Sequence, residues 1–488
     1  MTSPESSPYE TVIGLEIHVQ LLTVSKMFCG CSVAFGAAPN TQVCPVCLGL
    51  PGSLPVINRA AVELGVRTAV ALRCEVHAAS QFHRKNYYYP DLPKNYQISQ
   101  YEYMVHPPLA TRGALELAMD DAPRRIGIHR VHLEEDTGKL VHAERDGRVV
   151  HSLIDYNRSG VPLMEIVTEP DLRSPQEAHL FLGQLRALLQ AIGVSSGRLE
   201  EGTLRVDANV SLRRPGAELG IRTEVKNMNS LRSVERALAF ERDRQRELLD
   251  RNQPVIQETR HWDDRREVTF ASRSKEEAQD YRYFPEPDLV PVAVIPAQVE
   301  ATRASLPELP DAKRRRYERR HGLTATDAAL VTSSAVMARF FEETLEAFPN
   351  PKMVSSWLTG EVVAYLHARG KELEELPITP SHLAELLQLL DRGTISGRTA
   401  KDVLVEMLET GVRPQAIVQS RGLVQISDLA ALTQVVQEVL SVHPGPVADY
   451  RAGKAQALRF LVGQVMAKTQ GRANPELATK LLKERLGA

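Results

Sequence analysis

Residues Leu204 to Arg213 alternate without a break. Leu204, Val206, Ala208, Val210 and Leu212 fall on one side, and Arg205, Asp207, Asn209, Ser211 and Arg213 on the other. Successive side chains of a strand point to opposite faces, so this segment reads as a strand with one face on a core and one charged. Val12 to Leu21 repeats the pattern: Ile13, Leu15, Ile17, Val19 and Leu21 face inward, while Glu16, His18 and Gln20 share the opposite face. Two helices interrupt the strands, Ser174 to Ile192, with Ser174 as N-cap before Pro175, and Ser230 to Asn252. Strands and helices do not alternate regularly, which predicts an α+β fold with a mixed sheet rather than a doubly wound one.

Residues 1–8 form a short polar N-terminus, expected to be flexible and without the basic start and apolar core of a signal peptide. The mixed-sheet domain is expected over 9–296, closed by four prolines between Phe284 and Pro296. An all-α domain follows over 297–410, where Leu383, Leu386, Leu387 and Leu390 recur at helical spacing. The break Gly411 to Pro414 opens a small all-α tail over 411–488. No apolar run approaches the roughly 18–20 residues that span a bilayer, so a soluble, cytoplasmic chain without a membrane partner is expected. An apolar share of 43% excludes a disordered chain. Lys and Arg number 59 against 61 Asp and Glu, so any nucleic-acid surface must be local. One basic cluster, Lys313 to Arg320, opens the helical region; a solvated helix face or an interdomain contact explains it as well as RNA does.

Cys29-Gly-Cys31 is followed, after twelve residues, by Cys44-Pro-Val-Cys47. Two thiolate pairs on turn residues point to a tetrahedral zinc, and four ligands close the shell, so the site would be structural. The first pair is one residue tighter than the common spacing, and the alternative is four reduced, half-buried thiols. Cys74 stands alone and reads as inert.

The polar strand faces carry the remaining chemistry. Carboxylates with a His, as in Glu16 and His18, suit a hard divalent ion such as magnesium. Asp207 and Asn209 project in the same way, and Arg222, Glu224 and Lys226 share a face. Glu165 sits between apolar neighbours, where a bare charge is costly, and needs a cation or a proton. Taken singly, each such pattern is more often a solvated strand face or an ion pair than a ligand. Ser80 to Tyr96 interleaves tyrosines with Arg84, Lys85 and Lys94, a pattern that stacks an unpaired nucleotide or simply packs a loop. No phosphate-binding P-loop sequence occurs.

Long ordered stretches resemble the B subunit of aspartyl/glutamyl-tRNA amidotransferase, the GatB family. They include Tyr9 to Val19, Arg84 to Tyr87, His132 to Lys139, Asp155 to Glu165, Leu204 to Asn209, Asp280 to Asp288, Lys454 to Leu461 and Gly471 to Pro475. The resemblance implies a cradle-shaped catalytic domain, then a helical domain and a tail similar to a small protein called YqeY. It implies catalytic magnesium on Glu16, His18, Glu135 and Glu224, to which their surroundings add Glu165 and Asp207, with Lys85 as a catalytic cation. It likens the four cysteines to a structural zinc site. Arg84, Tyr89, Asn157, Arg158, Asn209, Lys226 and Asn227 are candidates for ATP or substrate contact, and Lys454, Arg459, Lys468 and Arg472 for tRNA.

The activity so implied is ATP-dependent transamidation of Glu-tRNA(Gln), Asp-tRNA(Asn) or both, by a ligase forming carbon–nitrogen bonds. This chain would phosphorylate the side-chain carboxylate and let ammonia displace the phosphate. The ammonia would come from glutamine hydrolysed by an amidase, the A subunit, through a shared channel, and a small C subunit would complete a heterotrimer. Two other readings compete. A non-catalytic tRNA-binding scaffold would bind tRNA without tRNA-dependent ATP hydrolysis. A ligase for free amino acids would turn over ATP without tRNA.

Overall fold

The computed structural model describes residues 8–102, 106–117, 119, 123–145, 148–273, 281–424, 429–469 and 472–487. Residues 1–7, Asp280 and Gly471 of the segments above lie outside the described residues. Among those described, no helix is long and apolar enough to cross a membrane.

The chain divides into two compact units, Met1–Pro310 and Asp311–Ala488. The first holds sixteen strands among the described residues. In chain order they are β1 (Glu10–Gln20), β2 (Glu75–Val76), β3 (Ala79–Ser80), β4 (Phe82–Asn86), β5 (Tyr96–Gln100), β6 (Ala110–Leu117), β7 (Arg124–Glu135) and β8 (Lys139–Arg145). They continue with β9 (Arg148–Asp155), β10 (Pro162–Thr168), β11 (Leu204–Arg213), β12 (Thr223–Lys226), β13 (Thr259–Asp263), β14 (Val268–Arg273), β15 (Phe284–Pro285) and β16 (Val292–Ala293). Twelve build one sheet, ordered β14-β13-β12-β11-β1-β10-β7-β5-β4-β15, with β6 beside β7 and β2 beside β6. The sheet is mixed, because β12 and β13 run parallel between antiparallel neighbours.

The two strands legible from alternation lie side by side at its centre. Ile13, Leu15, Ile17 and Val19 of β1 and Val206, Ala208 and Val210 of β11 are at most 2% exposed. They bury against α1 (Arg59–Ala71), α2 (Pro175–Ala191) and α3 (Leu231–Asp250), which supply Val66, Phe181, Leu185, Val234 and Leu238 to the same core. Each of the Val, Leu, Ile and Phe side chains among them contributes roughly 1.5–3 kcal/mol on burial. Ser174 caps α2 through Glu177 N, with Pro175 at the first turn, and Ser230 caps α3 through Ser233 N. Both serines satisfy backbone donors that the helix itself cannot. The helices therefore occupy one face of the sheet and leave the polar face open.

A fourth helix, α4 (Pro296–Ser305), packs on α1 and belongs with this unit, which runs to Pro310.

Among the described residues, the second unit is built of helices. Its first core joins α5 (Pro310–His321), α6 (Ala325–Val331), α7 (Ala335–Ala347), α8 (Pro351–Ser356), α9 (Val363–Arg369), α10 (Pro380–Asp391), α11 (Gly397–Thr410) and α12 (Pro414–Ser420). Leu383, Leu386 and Leu387 of α10 are fully buried there. Gly411 ends α11 in the left-handed conformation, at φ 69°. Ile417 and Val418 of α12 belong to this core as well. A separate core joins α13 (Leu429–Val442), α14 (Pro444–Arg451), α15 (Ala455–Lys468) and α16 (Pro475–Leu486).

Candidate active site

The open face of the sheet lines a cavity of about 1150 Å³ within the first unit. Register explains its composition. His18 of β1 pairs with Glu165 of β10, and Glu165 pairs with His132 of β7. One rung along, Glu16 pairs with Asp207 of β11; one further, Asn209 pairs with Glu224 of β12. Paired residues share a face, so polar groups from five strands meet over one surface. Glu16, His18, Lys85, Tyr89, Glu165, Asp207, Asn209, Glu224 and Lys226 all line it.

Three donors gather at its centre. One ligand atom each from His18, Glu134 and Glu165 lie within 4.8 Å of one another. His18 Nε2 is 3.4 Å from Glu165 Oε2 and 3.7 Å from Glu134 Oε1, and His132 Nε2 is 3.4 Å from Glu165 Oε2. Burial alone would depress the His18 imidazole, but Glu165, Glu134 and Asp207 outweigh it and push it up to about 9. Burial likewise opposes ionisation of Glu165, yet His132 and His18 hold its carboxyl well below the usual range. Two oxygens and a nitrogen at this spacing fit a hard divalent cation. Asn209 adds an oxygen: its amide donates to Glu16 (3.0 Å), and its buried Oδ1 has no hydrogen-bond partner.

Cations flank the acids. Lys226 donates to Asp207 at 2.5 Å and lies 3.5 Å from Glu224, whose other oxygen accepts from Thr259 (2.8 Å). Burial lowers the Lys226 ammonium, but Asp207 and Glu224 raise it above its ordinary value. Lys85 sits 4.9 Å from the Tyr281 ring centre and 5.9 Å from that of Tyr87. Arg130 and Arg222 complete the positive lining.

Glu135 is a correction. Expected beside Glu16 and His18, it follows Glu134 on β7 and so points to the opposite face. There it accepts from Ile98 N (2.9 Å) and pairs with Lys94, beside a second, small cavity. Glu134 takes its place in the main cavity. The signal lay in parity: His132 and Glu134 share a face, and Glu135 does not.

Four other candidates also lie outside the main cavity. Arg84 makes a two-pronged pair with Glu286, at 2.7 and 2.8 Å. Asn157 accepts from Gln42 N (2.8 Å) and donates to Ala38 O (2.7 Å). Arg158 clamps Asp136, which also holds Arg205 (3.0 Å). Asn227 turns the chain at φ 68° and donates to Trp262 O. Their partners lie 22 to 202 residues away, which local sequence does not reveal.

The four cysteines converge: one Sγ each of Cys29, Cys31, Cys44 and Cys47 lies within 4.8 Å of the others. The Cys29 thiol and, less strongly, the Lys26 ammonium bring Cys47 down to about 4, while burial lifts Cys31 to about 11. Four thiols at this spacing fit a tetrahedral zinc. In the tail, Lys454 pairs with Asp449 (2.9 Å) and Lys468 with Glu438 (2.5 Å), Arg459 is exposed, and Arg472 donates to Thr469 O (3.2 Å).

Residues 11–300 match the family model described as the GatB/GatE catalytic domain, and residues 339–486 match the one described as the GatB domain. The chain is 53% identical over 479 residues to the B subunit of the aspartyl/glutamyl-tRNA(Asn/Gln) amidotransferase of Carboxydothermus hydrogenoformans, covering 98% of this chain and 99% of the relative. It is 56% identical to the protein of the same name from Moorella thermoacetica, covering 98% and 100%. For Brevibacillus brevis the figures are 49% over 483 residues, covering 99% and 100%.

Proposed function

We infer, for a chain that belongs to the B-subunit family of the aspartyl/glutamyl-tRNA(Asn/Gln) amidotransferases, that its sheet cavity is where a tRNA-bound Glu or Asp is activated with ATP and amidated. The chain is one component of a glutamine-dependent, ligase-type complex acting on aminoacyl-tRNA. The observation that carries the assignment to this cavity is the convergence of Glu16, His18, Glu134, Glu165, Asp207 and Glu224 from five strands. An RNA-binding scaffold would have no use for bare acids facing its ligand's phosphates.

A carboxylate is a poor electrophile because its leaving group would be oxide. A side-chain oxygen of the charged amino acid attacks the γ-phosphorus of ATP, and ADP departs. Ammonia then attacks the acyl carbon and phosphate leaves, with the surplus proton passing to solvent. His18, Glu134 and Glu165 would hold one magnesium ion, with Glu16, Asp207, Asn209 and Glu224 offering a neighbouring oxygen set. Magnesium held there would supply positive charge that offsets that of the nucleotide phosphates. Lys85, Lys226, Arg130 and Arg222 supply fixed positive charge along the path of the transferred group. The tyrosines beside Lys85 exclude water from that side.

The ammonia comes from an amidase partner, the A subunit, through an internal channel, and a small C subunit completes the complex. Lys454, Arg459, Lys468 and Arg472 of the tail would meet tRNA phosphates. The four cysteines hold a structural zinc. The deciding assay combines the chain with its amidase, ATP, glutamine and glutamyl-tRNA(Gln), and identifies the amino acid released from the tRNA. Glutamine is expected; recovery of glutamate alone, in the presence of active amidase, overturns the reading.

A further inference from the structure

Lys26 is fully buried, an unusual place for an ammonium group, which loses several kcal/mol of hydration unless it is paired. No carboxylate lies within ion-pair distance of it among the described residues. Glu135, an acid on the same small cavity, is paired with Lys94. The Lys26 Nζ has two partners instead, Cys47 Sγ at 3.5 Å and Tyr156 O at 3.2 Å. The backbone fixes it there. Lys26 N donates to Cys31 O (3.0 Å), and the Asn58 side chain donates to Lys26 O (3.1 Å). The lysine is therefore tied to the cysteine cluster by side chain and main chain together.

We propose that Lys26 is the outer cation of the four-cysteine centre, donating to the Cys47 sulfur and raising the affinity of the site for zinc. The inference rests on the zinc assignment above. Four thiolates around one divalent ion leave a doubly anionic centre, and a buried centre of that charge is costly without a counter-ion. The Lys26 ammonium offsets part of that charge, and its N–H bond orients one ligand. The cost of burying Lys26 is offset in turn by the thiolate. Cluster and lysine thus stabilise each other, and Tyr156 O links both to the segment leading into β10.

Loss of an outer partner of this kind lowers metal affinity about 10- to 100-fold. The test uses the full-length chain, with zinc content measured by elemental analysis and zinc affinity by competition with a chromogenic chelator. In Lys26→Met, which keeps the length of the side chain and removes its charge, zinc affinity is expected to fall at least tenfold. Lys26→Arg retains the charge and is expected to stay within a few fold of the parent. In the cobalt-substituted protein, the sulfur-to-metal charge-transfer bands of Lys26→Met shift relative to the parent, a readout that general destabilisation does not move. Should Lys26→Met fail to fold, Lys26→Gln, neutral but still able to donate, is read in its place and is expected to fall between the two. Equal zinc affinity and unshifted cobalt bands in a zinc-loaded parent and the neutral variant overturn this proposal. A parent chain that takes up no zinc overturns the zinc assignment instead.

Discussion

Glu134 and Glu135 are consecutive in the chain and serve opposite sides of the sheet. Glu134 stands 3.7 Å from His18 in the large cavity, while Glu135 pairs with Lys94 beneath it. Glu134→Gln is expected to lower tRNA-dependent ATP hydrolysis about 100-fold and to weaken magnesium binding. Glu135→Ala leaves a buried ammonium unpaired, which costs about 3–5 kcal/mol of stability, but magnesium affinity is expected to hold. Melting curves and magnesium titrations of both variants separate the two roles. Equal loss of magnesium affinity would return Glu135 to the cation site.

Magnesium binding is expected to depend on pH through His18. The free imidazole, pushed up to about 9, is protonated at neutral pH and must give up its proton to become a ligand. Apparent affinity should rise about tenfold per pH unit and level off near 9. In the cation-free chain the sign is reversed: the raised value stabilises the fold below the ordinary histidine range, and that stability is lost as pH rises through about 9. Calorimetry in buffers of different ionisation enthalpy counts the protons released. No proton release at pH 7 would refute His18 as a ligand.

Alternation alone marked β1 and β11 as half-buried strands, because each has one apolar and one polar face. It could not orient the end of β7, where residues 131–135 are buried on both faces and no polar stripe marks the cavity side. Orientation there depends on the pairing of His132 with Glu165 across thirty-odd residues of sequence. The partners of Arg84, Asn157 and Arg158 were illegible for a related reason. Each is a charged or amide side chain in a distinctive stretch, and its partner, Glu286, Ala38 or Asp136, lies far away in sequence. The cysteines were legible because ligand spacing is local; Lys26 was not, because nothing in sequence shows a lysine pointing inward.

Arg84 offers a direct check on bracing. Arg84→Met leaves the Glu286 carboxylate, itself 1% exposed, without its guanidinium. A loss of about 3 kcal/mol is expected, read from denaturant unfolding, with the KM for ATP unchanged. A raised KM at unchanged stability would restore Arg84 to the nucleotide site.

Removal of zinc should loosen one loop and spare the cation site. Asn40 and Asn157 tie the cysteine loop to residues 154–157, but none of the four sulfurs lines the large cavity. Chelation is expected to open residues 29–50 to limited proteolysis and to leave magnesium affinity unchanged. A loop equally resistant with and without chelator would contradict this.

The central strand is also the first to be made. Residues 10–20 leave the ribosome with both edges unsatisfied and find their neighbours only when residues 162–168 and 204–213 have followed. Such distant pairing is slow, and an open strand edge invites wrong partners in the interval. A nascent chain stopped between residues 168 and 204 can pair β1 with β10 but leaves the β11 side of β1 open. It has no partial activity to offer, only an adhesive edge, so synthesis of this protein depends on what shields that edge until the sheet closes around it.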